Sequence, residues 1–83
     1  MTHLIQVLGP GCVRCERLAK NAAQAAADLG LECRVDKITD LDTIAGFGIL
    51  MTPGLVVDGE VRSTGAVLTV AELKGLLGDV NAT

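Results

Sequence analysis

The stretch HLIQVLGPGCVRCERLAKNAAQAAADLG, residues 3–30, changes period in its middle, and that change sets the fold. His3 to Leu8 is a short run rich in Leu, Ile and Val. Gly9-Pro10-Gly11 closes it, which reads as a buried strand ending in a tight turn. From Val13 onward, Cys15, Leu18, Ala22, Ala25 and Leu29 recur at spacings of three and four and so share one helical face. Arg17, Lys20, Asn21, Gln24 and Asp28 lie mostly elsewhere. The alanines favour helix and let it sit close to a sheet, and Gly30 supplies the stop. Two of the three cysteines, Cys12 and Cys15, fall where strand gives way to helix.

Working outward, Leu31 to Asp36 alternates apolar and polar residues, which places Leu31, Cys33 and Val35 on one face of a second strand. A helix between two strands implies that they run parallel with a right-handed crossover. Thr39-Asp40 caps a short helix through Ala45, with Ile38, Leu41, Ile44 and Ala45 at helical spacing and Gly46 near its end. Leu55 to Val57 and Val61 to Ser63 flank Asp58-Gly59, a strong hairpin signal. Thr69-Val70-Ala71-Glu72 has capping-box spacing and opens a last helix with Val70, Leu73, Leu76 and Leu77 on its apolar face. The order βαβαββα predicts an α/β domain, a mixed four-stranded sheet flanked by helices, with residues 1–83 forming a single domain.

Composition narrows the function classes. With 83 residues and 49% hydrophobic content, the chain sits near the lower size limit for a self-sufficient core. One Phe, no Tyr and no Trp leave no platforms for base stacking. A net charge of −3 leaves no basic field for phosphate backbones, so nucleic acid is not an expected partner. No apolar run reaches the roughly 18 to 20 residues of a membrane span, and the first residues lack signal-peptide character. The expectation is a cytoplasmic protein without a membrane partner. An odd number of cysteines in a reducing compartment does not make a disulfide framework, so the close pair reads as redox-active or metal-binding.

Residues i and i+3 of a helix have Cβ atoms about 5 to 6 Å apart, and a disulfide needs about 3.5 to 4.5 Å. A small adjustment in the first turn closes that gap, so the pair can open and close without rearranging the fold. Cys12 at a helix N-terminus meets unpaired N–H groups and the positive end of the macrodipole, which favour its thiolate. Arg14 adds a tuning cation, and Arg17 a second. Glu16 suits the first turn and opposes the thiolate slightly. Gly9 and Gly11 leave the approach to Cys12 open. Cys15, one turn inside on the apolar face, is the less accessible sulfur. This division makes Cys12 the attacking thiol and Cys15 the resolving one.

Strand, Gly-Pro-Gly-Cys12-Val-Arg-Cys15, helix, and then Thr52-Pro53 opening a later hairpin strand resemble the thioredoxin fold. They resemble in particular the small thioredoxin-like and glutaredoxin-like redox-active disulfide proteins of prokaryotes. KITDLDTIAGFGILMTPGLVVDGEVRSTG, residues 37–65, is similar to that subfamily throughout. The resemblance implies a cis Pro53 facing the cysteine pair and a Thr52 backbone that pairs with a bound substrate segment. It also places Gly65 near the site at the end of the last strand. It implies electron transport by thiol–disulfide exchange with protein disulfides, and recycling by a reductase or a low-molecular-weight thiol. No cofactor is expected beyond the Cys12-Cys15 disulfide, and no metal.

The chain departs from ordinary thioredoxins in several places. Gly11 stands where they carry Trp before the first cysteine, and Val13-Arg14 replaces Gly-Pro between the cysteines. No acidic residue in a central strand matches their buried proton acceptor. Gly54, where relatives often carry Ala, is expected to widen the groove. The main alternative is a soft-metal chaperone whose two thiolates carry Cu(I) or Zn(II), although Gly11 before Cys12 and a capped helix after Asp36 depart from that pattern. A degenerate fold used as a binding module is a third reading. A structural zinc site would need four ligands, and only Cys33 and His3 remain. Cys33 reads as a buried structural thiol, His3 as a strand start without a catalytic role, and Lys37 as solvated. Phe47 and Met51 read as packing residues around the loop to Pro53.

Overall fold

The computed structural model describes residues 3–10, 13–49 and 51–81, with side chains through residue 78. Its elements are β1 (His3–Leu8), α1 (Val13–Leu29), β2 (Cys33–Ile38), α2 (Leu41–Gly46), β3 (Gly54–Val57), β4 (Glu60–Thr64) and α3 (Val70–Asn81). The sheet order is β2-β1-β3-β4. β1 runs parallel to β2 and antiparallel to β3, and β3 is antiparallel to β4. The predicted α/β architecture is the one observed.

Strand alternation divides the core into two layers. Ile5 and Val7 of β1, with Leu55 and Val57 of β3, face a cluster that includes Leu18, Ala22 and Ala25 of α1 and Leu73 and Leu77 of α3. Leu8 and Val56 point the other way, onto Ile44 of α2, with Ile38, Phe47 and Ile49 packed around them. Every residue of β3 is buried, as a central strand covered on both faces requires. Leu73 and Leu77 are almost fully buried, each contributing on the order of 1.5 to 3 kcal/mol.

The second strand is shifted two residues from its predicted span, and the end of α1 explains why. The Gly30 N–H donates to the Ala27 carbonyl (3.1 Å) and the Leu31 N–H to the Ala26 carbonyl (3.0 Å), the paired bonds of a Schellman motif. Leu31 is thereby committed to closing the helix. Its side chain packs against the main cluster, to which Ala26 belongs. Ala26 is buried, and Leu29, predicted to be on the buried face, is 37% exposed. At the far end β2 continues to Ile38, because Ile38 pairs with Leu8 and its carbonyl accepts the Gly9 N–H (2.9 Å). Ile38 therefore belongs to the strand and not to the face of α2. That helix buries only Ile44, while Leu41 and Ala45 are exposed.

Capping follows the sequence. Asp40 is the N-cap of α2 and accepts from the Thr43 N–H (3.1 Å) and hydroxyl (2.6 Å). Those bonds, the hydroxyl first, hold its carboxyl below the ordinary carboxylate range. In α3 the Thr69 N–H donates to Glu72 Oε1 (3.1 Å) and the Glu72 N–H to Thr69 Oγ1 (3.2 Å), a complete capping box.

Asp58 and Gly59 both have positive φ, 51° and 84°, and join β3 to β4 in a two-residue turn of the primed type. The Asp58 carboxylate reaches back to β1, accepting from the Leu4 N–H (2.8 Å) and His3 Nδ1 (2.7 Å). These bonds, that of His3 foremost, hold its carboxyl below the usual range. A depressed folded pKa contributes stability that is present above the unfolded value of about 4 and is lost as pH falls through the folded value. Asp58→Asn keeps a residue that tolerates positive φ and removes the charge. Urea unfolding from neutral pH to below pH 4 should show a shallower acid loss in the variant than in wild type, with Asp40 supplying the remainder. Identical acid slopes would refute the role given to Asp58.

Candidate functional site

Register alone gathers the site. Leu8 pairs with Gly54, and Gly54 pairs with Thr64. The next residues beyond that row are Gly9 at the end of β1, Pro53 before β3 and Gly65 after β4. α1 starts at Val13, so its first turn stands over the same end of the sheet.

Cys15 lies on the inward face of that first turn and is 2% exposed. Its Sγ is packed directly against Gly9: a Cβ added there would overlap the sulfur, and the same point lies 3.9 Å from the Thr52 Cβ. Gly9 therefore seats Cys15, with Thr52 alongside. Beside its expected part in leaving the approach to Cys12 open, Gly9 thus meets a second requirement, a glycine for space and not for backbone conformation. Gly11 and Cys12 lie outside the described residues.

The Thr52–Pro53 peptide is cis, and Pro53 is fully buried. The Pro53 carbonyl accepts the Gly65 N–H (2.8 Å). Gly65 has φ +76°, and the Met51 side chain packs where a Cβ would stand, with its Cε 3.0 Å from that point. Two constraints, a left-handed backbone and close packing of Met51, thus favour glycine at position 65. Arg14 Nη2 donates to the Gly65 carbonyl (3.0 Å), tying the residue between the two cysteines to the end of β4. The structure thus brings together Cys15, Arg14, Thr52, Pro53 and Gly65.

One expectation for the surroundings changes. Gly54 does not widen a groove: it is buried in β3, and a Cβ there would come within 2.6 Å of Ile49 Cδ1 and 3.4 Å of the Leu8 Cβ. Met51 is 62% exposed even though it covers Gly65. With Phe47, Ile49, Val61 and Thr64 it lines an apolar groove of about 400 Å³ beside the Thr52-Pro53 loop. Phe47 packs in the smaller core cluster as predicted. The seat made by Gly9 and the cover made by Met51 were not read from sequence. Both are contacts between segments distant in the chain, which no local spacing encodes.

The remaining chemistry-bearing residues lie elsewhere. Cys33 pairs with His3 at the start of β1, five residues before the row that ends at Leu8 and Ile38. At about 3.3 Å per residue it is about 16 Å down the strand from the Cys15 end. Cys33 is half-buried, short of the buried thiol expected; that partial burial, and secondarily the Asp58 charge, push its pKa up, which keeps it a poor nucleophile. Lys37 is exposed, with Nζ 3.7 Å from Glu16 Oε1, an ion pair of little energetic weight. Among the described residues no three His, Cys, Asp or Glu side chains gather as a metal site, and no helix is long and apolar enough to cross a membrane.

A family model described as a thioredoxin domain matches residues 3–78. The chain is 41% identical over 73 residues to a protein named thioredoxin from Methanothermobacter thermautotrophicus, covering 88% of this chain and 95% of that protein. It is 31% identical over 71 residues to a thioredoxin from Methanocaldococcus jannaschii, covering 86% of this chain and 81% of that protein.

Proposed function

The chain belongs to the thioredoxin domain family, and from that premise we propose that it is a thiol–disulfide oxidoreductase acting on protein disulfides through Cys12 and Cys15. The observation that carries this reading is the placement of Cys15. Its sulfur is buried at the start of a helix, beside Gly9 and Thr52 and next to the Thr52-Pro53 loop, three residues from a second cysteine.

Reduction proceeds in two exchanges. The Cys12 thiolate attacks one sulfur of the substrate disulfide. A Cys12–substrate disulfide forms, and the other substrate sulfur leaves as a thiolate and takes up a proton. Cys15, once deprotonated, then attacks the Cys12 sulfur, forming the Cys12–Cys15 disulfide and releasing the second substrate thiol. Two electrons pass from the protein dithiol to the substrate. α1 opens at Val13, the residue after Cys12, so its N-terminal N–H groups and dipole favour the attacking thiolate. Arg14 reinforces that field while its guanidinium is anchored on Gly65. The substrate chain lies along Thr52, Pro53 and Gly65, with the groove at Met51 taking apolar side chains, and a glycine at position 11 carries no side chain to shield the attacking thiol. A reductase or low-molecular-weight thiol returns the pair to the dithiol.

The test is equilibration of the protein in graded thiol–disulfide buffers with quantification of free thiols. Cys12 and Cys15 should oxidise together in one intramolecular two-electron step, with tenfold in the equilibrium constant for about 30 mV. Cys33 should remain reduced. Thiols that stay reduced throughout, or that oxidise only between molecules, would remove the basis of the proposal.

A further inference from the structure

The cations of this acidic chain are unevenly placed. Of seven Lys and Arg residues, Arg14, Arg17, Lys20 and Lys37 lie in the first half of α1 and near the end of the adjoining strand β2. Helix stability gives no reason for this, because cations near a helix N-terminus oppose the macrodipole and like charges three residues apart repel. A groove of about 540 Å³ runs between α1 and β2, the edge strand of the sheet. Val13, Ala23 and Val35 contribute apolar lining. Arg17, Lys20 and Lys37 contribute three positive charges against one from Glu16, a local balance of +2 in a chain of net charge −3. Arg17 and Lys20 are exposed and enter no ion pair among the described residues.

The groove starts at Val13, which is 73% exposed and follows Cys12 directly. From Val13 to Ala23 it extends ten helical steps, about 15 Å, the length of four or five extended residues at about 3.3 Å each. We propose that this groove docks an acidic, extended segment of the protein whose disulfide the cysteine pair exchanges with, an inference that rests on the redox reading above. Carboxylates of the segment meet Arg17, Lys20 and Lys37, small apolar side chains face Val13 and Ala23, and the substrate disulfide is delivered at the Val13 end.

The experiment titrates three probes into isotopically labelled protein and follows backbone amide shifts. The probes are a cysteine-free Glu-rich peptide with interspersed apolar residues, its Lys-for-Glu counterpart, and inorganic phosphate. The acidic peptide should move amides of residues 13–23 and 35–37, more tightly at low salt. The combined change Arg17→Glu and Lys20→Glu should weaken it about tenfold, about 1.4 kcal/mol, with the milder Arg17→Gln and Lys20→Gln pair intermediate. Equal binding of the basic peptide, an affinity unchanged by charge reversal, or shifts produced by phosphate and not by the peptide would overturn the proposal. Peptide binding needs no sulfur chemistry. A protein that binds the acidic peptide but does not cycle its thiols would therefore sustain the groove and refute the exchange reading, and one that cycles without binding would do the reverse.

Discussion

Cys12→Ser is expected to abolish reduction of a model protein disulfide such as that of insulin, whereas Cys15→Ser is expected to accumulate covalent mixed disulfides with it. The asymmetry follows from burial and order of action. Cys15 is 2% exposed, its sulfur enclosed by Gly9 and the first turn of α1, so a bulky disulfide cannot reach it first. A hydroxyl at position 12 is a far weaker nucleophile than a thiolate, and no other thiol can replace it, since Cys33 lies at the opposite end of the sheet with its pKa pushed up. Without the Cys15 sulfur the first exchange still occurs, but the intramolecular attack that releases it does not. That attack draws on the effective concentration of a neighbouring group, of order 10⁵ M or more for well-oriented intramolecular reactions. Its loss should leave an adduct visible as a mass increase on a non-reducing gel. A serine hydroxyl buried at position 15 costs about 1 to 3 kcal/mol if unsatisfied, so Cys15→Ala serves as the companion variant. Unchanged insulin reduction by Cys12→Ser, or no more captured partner with either Cys15 variant than with wild type, would overturn the assigned roles.

The elements that could be read from sequence are those set by short-range chemistry. The period change at Val13, the Asp58-Gly59 turn, the Asp40 cap and the Thr69 to Glu72 box each depend on residues within a few positions of one another, and all four appear as read. The misreadings arose where a distant partner decided the outcome. Leu31 suited strand alternation, but bonds to Ala26 and the helix end claimed it. Ile38 suited a helical face, but pairing with Leu8 kept it in β2. The site divides in the same way. Cys15 and Arg14 stand out from the spacing of residues 9–15. Thr52, Pro53 and Gly65 came from resemblance, because only the sheet register brings residues 53 and 65 beside residue 9. For Gly9 the sequence suggests only that it keeps the approach to Cys12 open. Its contact with Cys15 depends on how deeply the first turn of α1 settles onto the end of β1, and no local pattern encodes that depth.

That contact sets the second large effect, the loss of stability in Gly9→Ala. The Gly9 N–H is fixed to the Ile38 carbonyl (2.9 Å), so the backbone cannot swing away to make room. The new methyl would overlap the Cys15 sulfur and stand 3.2 Å from the Cys15 Cβ. Either α1 lifts from the sheet or Cys15 leaves its rotamer. Overpacking of this kind costs about 1 to 3 kcal/mol and occasionally more, and a chain of 83 residues has a total stability of about 5 to 15 kcal/mol to lose it from. Removing the sulfur should give the space back. Cys15→Ala alone forfeits packing, but in the Gly9→Ala background it relieves the overlap, so the double variant should be more stable than the two single losses added together, by at least about 1 kcal/mol. Urea denaturation of wild type, both single variants and the double variant measures that coupling. Additive losses would mean that the two residues do not share this space, and Cys15 would then have no seat against β1 and no fixed position from which to resolve a mixed disulfide.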